Sequence, residues 1–419
     1  MTLFNIRRKI KEDFIMKSEN TMVSEVTLKV GAICIGNGGG QSGVKLHENG
    51  VETILINSSA RDLDNTIVPA GIRSFIIEDA NDLGRGAGRN REIAKKLFSD
   101  WSQNKKLLAN EYFVNFVSEK DIIFIVSSTA GGTGSGISPT LAYMLAKKYP
   151  NKVFILVPIM PRLTESINSQ QNTIQYFNEV DTINNSGVNI PYMPFDLEKL
   201  AAQDIQAAYE KIAKDISNAV KVIRGDMTIQ TPYGMIDERN MLTIVTCPGM
   251  ISVYVDDAVK MSDIQSDGIQ SVIIRGMQKS SACAMQKDKI SETVGLFLEV
   301  DDAIEDPVKK ADYTSLFNTI GEPFEIFVNY GITDKPMGKY GLVVSGQSMP
   351  YDRLKQCIDR VSEFEESQRQ KEYSIADSAS MFSHYAQNQN VDKILGSATV
   401  KSVESEPDVE VPDFLKSSL

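Results

Sequence analysis

Histidine is almost missing from this chain of 419 residues, which holds only His47 and His384. Two histidines so far apart exclude a histidine-rich metal centre. The four cysteines (Cys34, Cys247, Cys283 and Cys357) form no CxxC pair. They read as reduced, structural thiols rather than a zinc ribbon or a disulfide framework. No apolar run reaches the roughly 18–20 residues that a bilayer-spanning helix needs. The opening MTLFNIRRKIKEDFIMKSEN mixes charge into its apolar positions and lacks the continuous apolar centre of a secretory leader. Positive charge is in short supply as well: 44 Lys and Arg face 55 Asp and Glu, for a net charge of −11. That balance opposes direct binding to nucleic acid. The expectation is a cytoplasmic protein that touches neither membrane nor nucleic acid itself. If it works on DNA, it does so through an adaptor.

What is present is an alternation. TILIN (Thr53–Asn57), DIIFIVSS (Asp121–Ser128) and KVFILVPIM (Lys152–Met160) are apolar throughout, with helical patterns between them. Strands of that kind belong to a parallel sheet covered on both faces. From Phe195, apolar residues recur at Leu197, Leu200, Ala201, Ile205, Ala208, Ile212, Ile216 and Val220, the spacing of a buried helix face. Strands at wider spacing follow: MISVYVDDA, ETVGLFLEV, FEIFVNYGI and YGLVVSG. The fold class read from this pattern is α/β, with a parallel-sheet domain, a long central helix and a second α/β domain. The boundaries fall at 1–25 for an N-terminal extension, 26–194 for the first domain, 195–225 for the helix and 226–348 for the second domain. A charged C-terminal helix is expected over 349–373, then a disordered tail over 374–419.

Two glycine-rich loops each lie between a strand and a helix. One is GNGGGQSG, with Gly36, Gly38, Gly39, Gly40 and Gly43; the other is AGGTGSG, with Gly131, Gly132, Gly134 and Gly136. A third, GRGAGRN, places Gly84, Gly86 and Gly88 before another helix, beside Arg85, Arg89 and Asn90. Unpaired N–H groups at a helix start, close to a backbone without Cβ atoms, make an anion site. Three such segments in one parallel sheet put a phosphate ligand at its C-terminal edge. A Walker A loop is excluded, because no glycine precedes Lys-Ser or Lys-Thr. A dinucleotide fingerprint fails at Gln41, where the third glycine belongs.

GGTGSG resembles the phosphate-loop signature of the tubulin/FtsZ family of GTPases. GNGGGQSG resembles that family's first phosphate loop, GRGAGRN the loop that senses the terminal phosphate, and LAAQDIQAAYEKI its central helix. PRLTES is similar to the segment whose acid meets the ribose. The likeness runs in order from about residue 28 to 345. TAGGTGSGISP and GMIDERNMLTIV look most like the TubZ branch, found on plasmids and phages. The resemblance implies a GTP-binding domain, a central helix and an activation domain. It further implies GTP/GDP and Mg²⁺ as cofactors, with no direct protein ligand to the metal, and head-to-tail filaments in which a loop of the next subunit completes the catalytic centre. The nucleotide-binding residues so implied are Gly36, Gly38, Gly39, Gly40, Gln41 and Ser42; Gly86, Ala87, Gly88 and Asn90; Ala130, Gly131, Gly132, Thr133, Gly134 and Ser135. Glu165 falls at the ribose, and Gln203 and Asp204 at the guanine. The catalytic loop is YGMIDERNMLTIV. Asp237 takes its first acidic position, with Glu238 as the alternative carboxylate. The second position, acidic in most active members, is Asn240 here. The family's arginine after the ribose acid is missing from ESINSQQ, with Asn168 as a candidate replacement.

The end of the chain, DVEVPDFLKSSL, presents Val409, Val411, Phe414 and Leu415 within an acidic stretch. Apolar residues on a polar tether mark a docking peptide. The leading reading is a filament-forming GTPase that segregates plasmid or phage DNA, with its tail recruiting a DNA-binding adaptor. An FtsZ-like division filament, suggested by VPDFLK, stays open. So does a nucleotide-binding filament with little turnover, suggested by Asn240.

Overall fold

The computed structural model describes residues 28–65, 68–77, 86–103, 107–227, 236–286, 291–301, 308, 313–333, 335 and 337–388. The expected N-terminal extension, the C-terminal docking peptide, Gly84 and Arg85 lie outside the described residues. The order of elements begins β1 (Val30–Ile35), α1 (Gly36–Glu48), β2 (Glu52–Asn57), α2 (Ala60–Asn65), β3 (Arg73–Ile76), α3 (Arg91–Gln103) and α4 (Glu111–Glu119). It continues with β4 (Ile122–Ser128), α5 (Thr133–Lys148), β5 (Val153–Met160), α6 (Ile167–Asn185) and β6 (Phe195–Asp196). A 3₁₀ turn at Leu197–Leu200 leads to α7 (Ile205–Arg224) and α8 (Glu238–Val245). Then come β7 (Met250–Lys260), α9 (Met261–Asp267), α10 (Ile269–Lys279), β8 (Thr293–Asp301) and α11 (Thr314–Ile320). Last are β9 (Glu325–Thr333), β10 (Met337–Gln347) and α12 (Tyr351–Asn388).

The first six strands form one sheet in the order β3-β2-β1-β4-β5-β6, and all its pairs are parallel. Strand side chains alternate between faces, so β1 sends Ala32 and Cys34 into one core and Ile33 and Ile35 into the other. Both faces are therefore covered, as the unbroken apolar strands require. The second sheet runs β7-β10-β8-β9, antiparallel except for β8 with β9. Ala208, Ile212, Ile216, Ala219 and Val220 of α7 join one core that continues from the first sheet into the second. The central helix is thus the shared wall of both layers. Among the described residues, no helix is long and apolar enough to cross a membrane.

Two expected boundaries are corrected. The central helix does not begin at Phe195: that residue and Asp196 pair with Ile159 and Met160 as β6. The helix starts at Ile205 because Asp204 caps it, its Oδ1 accepting from Gln206 N at 2.8 Å and Ala207 N at 3.2 Å. The C-terminal helix does not stop near 373 but runs on to Asn388; residues 374–388 contain neither glycine nor proline to end it. The described residues up to Ser362 make one compact unit, and Glu363 opens a second, in which the described residues are helical.

Candidate functional site

The strand β1 ends directly in α1, and β4 ends four residues before α5. GNGGGQSG forms the opening turns of α1, whereas in AGGTGSG residues 130–132 make a turn before α5 and residues 133–136 its first turn. Neither helix has a side-chain cap at its N-terminus, so their first N–H groups remain free for an acceptor. Gly36 makes the strand-to-helix corner at φ +73°, a conformation that glycine adopts without penalty. Gly39 lets α1 lie on β4: a Cβ there would stand 2.4 Å from the Val126 carbonyl oxygen. Gly134 similarly faces the Ile35 carbonyl oxygen, at 2.9 Å. The two helix starts are consequently side by side.

The third segment joins them. A Cβ on Gly132 would meet Asn90 N at 2.7 Å, so the turns at 86–90 and 130–133 touch through their backbones. Asn172 of α6 stitches them together, its Nδ2 donating to the carbonyls of Arg89 (3.0 Å), Ala130 (2.9 Å) and Gly131 (3.3 Å). Asn90 caps α3 through Oδ1, which accepts from Glu92 N at 2.9 Å and Ile93 N at 3.2 Å. Ala87 and Ala130 are buried, and Gln41 is exposed. Ser42 is buried with its hydroxyl directed at the Gly38 carbonyl. Thr133 Oγ1 lies 2.6 Å from Ser58 Oγ, and the Ser135 hydroxyl donates back to the Gly131 carbonyl. At Gly88 and Gly131 a Cβ would meet nothing within 4 Å. No packing demand explains a glycine at 131, and the open space there is where a ligand's approach would need one.

Glu165, Gln203 and Asp204 gather beyond the end of β5 through Arg162. That guanidinium donates to the carbonyls of Leu200 (3.0 Å) and Gln203 (2.9 Å), while Arg162 N donates to Glu165 Oε1 at 3.0 Å. Burial pushes the Glu165 carboxyl above its usual value, against the Arg162 N–H and the charges of Arg89, Arg162 and Arg353. Tyr209 of α7 comes within reach of the same place: a Cβ on Gly38 would lie 3.7 Å from its ring and 2.9 Å from the Ser128 Cβ. Burial drives its hydroxyl up to about 12, so it stays neutral. Arg162, Asn172, Tyr209 and Ser58 were not singled out by the sequence. Their partners are 38 to 83 positions away in the chain for the first two, a distance that no local pattern records. Tyr209 carried a signal, as an aromatic on α7 one turn after Asp204.

Asp237, Glu238 and Asn240 are elsewhere. Asp237 Oδ1 accepts from Asn240 N at 2.8 Å, and Asn240 Oδ1 accepts from Asp237 N at 3.1 Å. This reciprocal pair is the capping box of α8. Beside it, Glu238 Oε1 has no hydrogen-bond partner among the described residues. Burial, then the charges of Asp121 and Asp237, raise the Glu238 carboxyl. Asp121 stands immediately before β4, where its carboxylate accepts from Lys29 N at 2.9 Å. The acidic loop is thus at the N-terminal end of the strands, and the glycine turns are at the C-terminal end. Seven residues of β4 separate the two, or about 20 Å at strand rise.

Compared with known families, residues 29–192 match the GTPase domain of the tubulin/FtsZ family. The chain carries a tubulin/FtsZ-family GTPase domain. The matched span of this GTPase domain takes in all three glycine-rich segments and Glu165. Over a longer stretch the chain is 24% identical to the tubulin-like protein TubZ of Clostridium botulinum C phage across 349 residues, covering 80% of this chain and 84% of the phage protein. The crystal structure of Clostridium botulinum phage c-st TubZ superposes with a TM-score of 0.64 at 20% identity, over 82% of this chain and all of that one. A GTPγS-form protofilament of Bacillus thuringiensis serovar israelensis TubZ gives 0.65 at 15% identity, over 86% and 97%. These likenesses extend the shared fold from the GTPase domain through α7 and the second sheet.

Proposed function

We propose that this chain hydrolyses GTP in filaments of head-to-tail copies, and that such filaments segregate plasmid or phage DNA through a DNA-binding adaptor held by the C-terminal tail. The observation that carries the first half is the placement of the acidic loop. Asp237 and Glu238 sit at the opposite end of the sheet from the glycine turns, so no single copy brings them to its own nucleotide. A second copy stacked on the first does. One of the solved structures similar to this chain is a protofilament, which supports the same arrangement.

In this reading the free N–H groups of α1 and α5 hold the phosphates of GTP or GDP. The hydroxyls of Thr133 and Ser135 line that cradle, Glu165 meets the ribose, and Gln203 with Asp204 meets the guanine. Asp204 keeps one carboxylate oxygen for capping α7 and has the other for the base. Mg²⁺ enters with the nucleotide and spreads its phosphate charge. Asp237 of the neighbouring copy orients the attacking water, while its Oδ1 remains on Asn240 N; Glu238, with an unpartnered oxygen, is the second carboxylate. Asn240 fixes the cap that aims Asp237, which gives this residue a task even without a charge. The adaptor follows from the net charge of −11 and from the apolar-acidic island at Val409–Leu415.

Phosphate release measured against protein concentration, with ATP as control, tests the reading. A rate that is negligible below a threshold and climbs above it is expected. A rate strictly proportional to protein places catalysis within one copy and removes the stacked site.

A further inference from the structure

One side chain of α6 reaches three backbone carbonyls of the glycine turns. Asn172 is buried, and its Nδ2 stands 2.9 Å from the Ala130 carbonyl oxygen, 3.3 Å from that of Gly131 and 3.0 Å from that of Arg89. A side-chain amide has two hydrogens to donate, so both are committed to these turns. Asn172 is itself held from behind. Its carbonyl accepts from Nη1 of the buried Arg91 at 3.2 Å, and the same guanidinium donates to Glu179 at 2.5 Å. Lys95 at 3.0 Å and the Thr140 hydroxyl at 3.2 Å meet that carboxylate as well. The helices α3, α5 and α6 are thereby tied together behind the turns.

The effect of this grip is felt on the far side of the peptide units. In a planar trans peptide the C=O and the following N–H point in opposite directions. With the Ala130 and Gly131 carbonyls turned toward Asn172, the N–H groups of Gly131 and Gly132 are turned away from it. The two N–H groups before them are spent: Thr129 N donates to the Ile159 carbonyl at 3.0 Å and Ala130 N to the Ser128 hydroxyl at 3.3 Å. Those of Gly131 and Gly132 donate to no backbone carbonyl among the described residues. A Cβ on Gly131 would meet nothing within 4 Å, so a ligand has room to come right up to the backbone there. Successive free N–H groups of this kind bind an anion.

We propose that Asn172 is a positioning residue: it aims the Gly131 and Gly132 N–H groups at a phosphate of the bound guanine nucleotide and locks the 86–90 turn beside them. This rests on the nucleotide site proposed above. Without the amide the two peptide units are free to rotate, and binding must then supply their ordering.

The test uses the full chain with a fluorescent GTP analogue as reporter and with GDP and guanosine as competitors. Guanosine keeps the base and sugar but lacks phosphate, so it reads the remainder of the site. Asn172→Leu holds the side-chain volume and removes both donors. Asn172→Ser leaves one short donor that does not span three carbonyls. Each should bind GDP about tenfold more weakly or worse, while guanosine stays within about twofold of wild type. Melting curves without nucleotide are taken alongside. Equal losses for GDP and guanosine overturn the proposal, because they make Asn172 a packing residue. So does wild-type GDP affinity in either folded variant. Should Asn172→Leu melt below the assay temperature, Asn172→Ser decides by the same ratio. An unaltered chain that binds neither the analogue nor GDP removes the nucleotide site and the proposal with it, a result distinct from the other two.

Discussion

Asp237 caps α8 and, in the proposed mechanism, orients water with the same carboxylate; substitutions can pull the two roles apart. Asp237→Asn keeps an oxygen for the Asn240 N–H and should fold normally, yet lose the negative charge that orients water. Phosphate release is expected to fall by about 10²-fold. Asp237→Ala should lose the same turnover and, in addition, about 1 kcal/mol of stability from the missing cap. Equal turnover in Asp237→Asn and wild type would move the role to Glu238. At the other end of the sheet, Thr133→Ala combined with Ser135→Ala should weaken GTP binding by about tenfold or more, since in the proposed site both hydroxyls line the phosphate cradle. Glu165 gives a pH signature. Its carboxyl is raised by burial, so the folded state bears a penalty once pH exceeds the raised value, and the penalty vanishes as pH falls below the ordinary carboxylate range near 4. Glu165→Gln should accordingly melt higher than wild type at pH 7 to 8 and match it near pH 4. Thermal melts across that range, without nucleotide, decide it. The residues of the site that sequence reading found were those in contiguous motifs. Arg162 and Asn172 escaped it, because each acts across a gap in the chain.

At the level of elements, the strands were legible and the helix starts were not. Unbroken apolar runs identify β1, β4 and β5, because only a strand buried on both faces tolerates them. The glycine runs were read as loops, since glycine is a poor helix former. Here residues 36–43 open α1 and residues 133–136 open α5, with Gly39 and Gly134 packed so close that only glycine fits against Val126 and Ile35. Phe195–Leu200 carried a helical pattern but became a strand and a 3₁₀ turn, drawn by β5 on one side and by Arg353 on the other. That arginine, in the first turn of α12, is buried with Asp196, its Nε 3.0 Å from both carboxylate oxygens, and its other end donates to the Pro161 carbonyl. Arg353→Met should cost about 3–5 kcal/mol by stranding a buried carboxylate. Pairing it with Asp196→Leu should restore most of the loss, because an apolar pair of like volume needs no partner. Urea unfolding of the single and double variants checks both values. A double variant no more stable than the single one shows that the ion pair does more than balance charge.

For the whole molecule, the proposed tail function separates cleanly from the proposed polymer. Removing residues 389–419 should leave concentration-dependent phosphate release intact and abolish capture of any adaptor. A peptide of residues 404–419 used as bait should retain a helix-turn-helix DNA-binding protein; retention of a membrane-anchoring protein would instead favour a division filament. In the proposed polymer, the distance between the glycine turns and Asp237 has a larger consequence. A row of n stacked copies contains n nucleotides but only n − 1 completed sites. One end always displays glycine turns that no neighbour's Asp237 has reached, and the nucleotide there waits uncleaved until another copy arrives. The two ends of the row are thus chemically unlike, however many copies lie between them. Lengthening is the act that starts each clock, one position behind the tip.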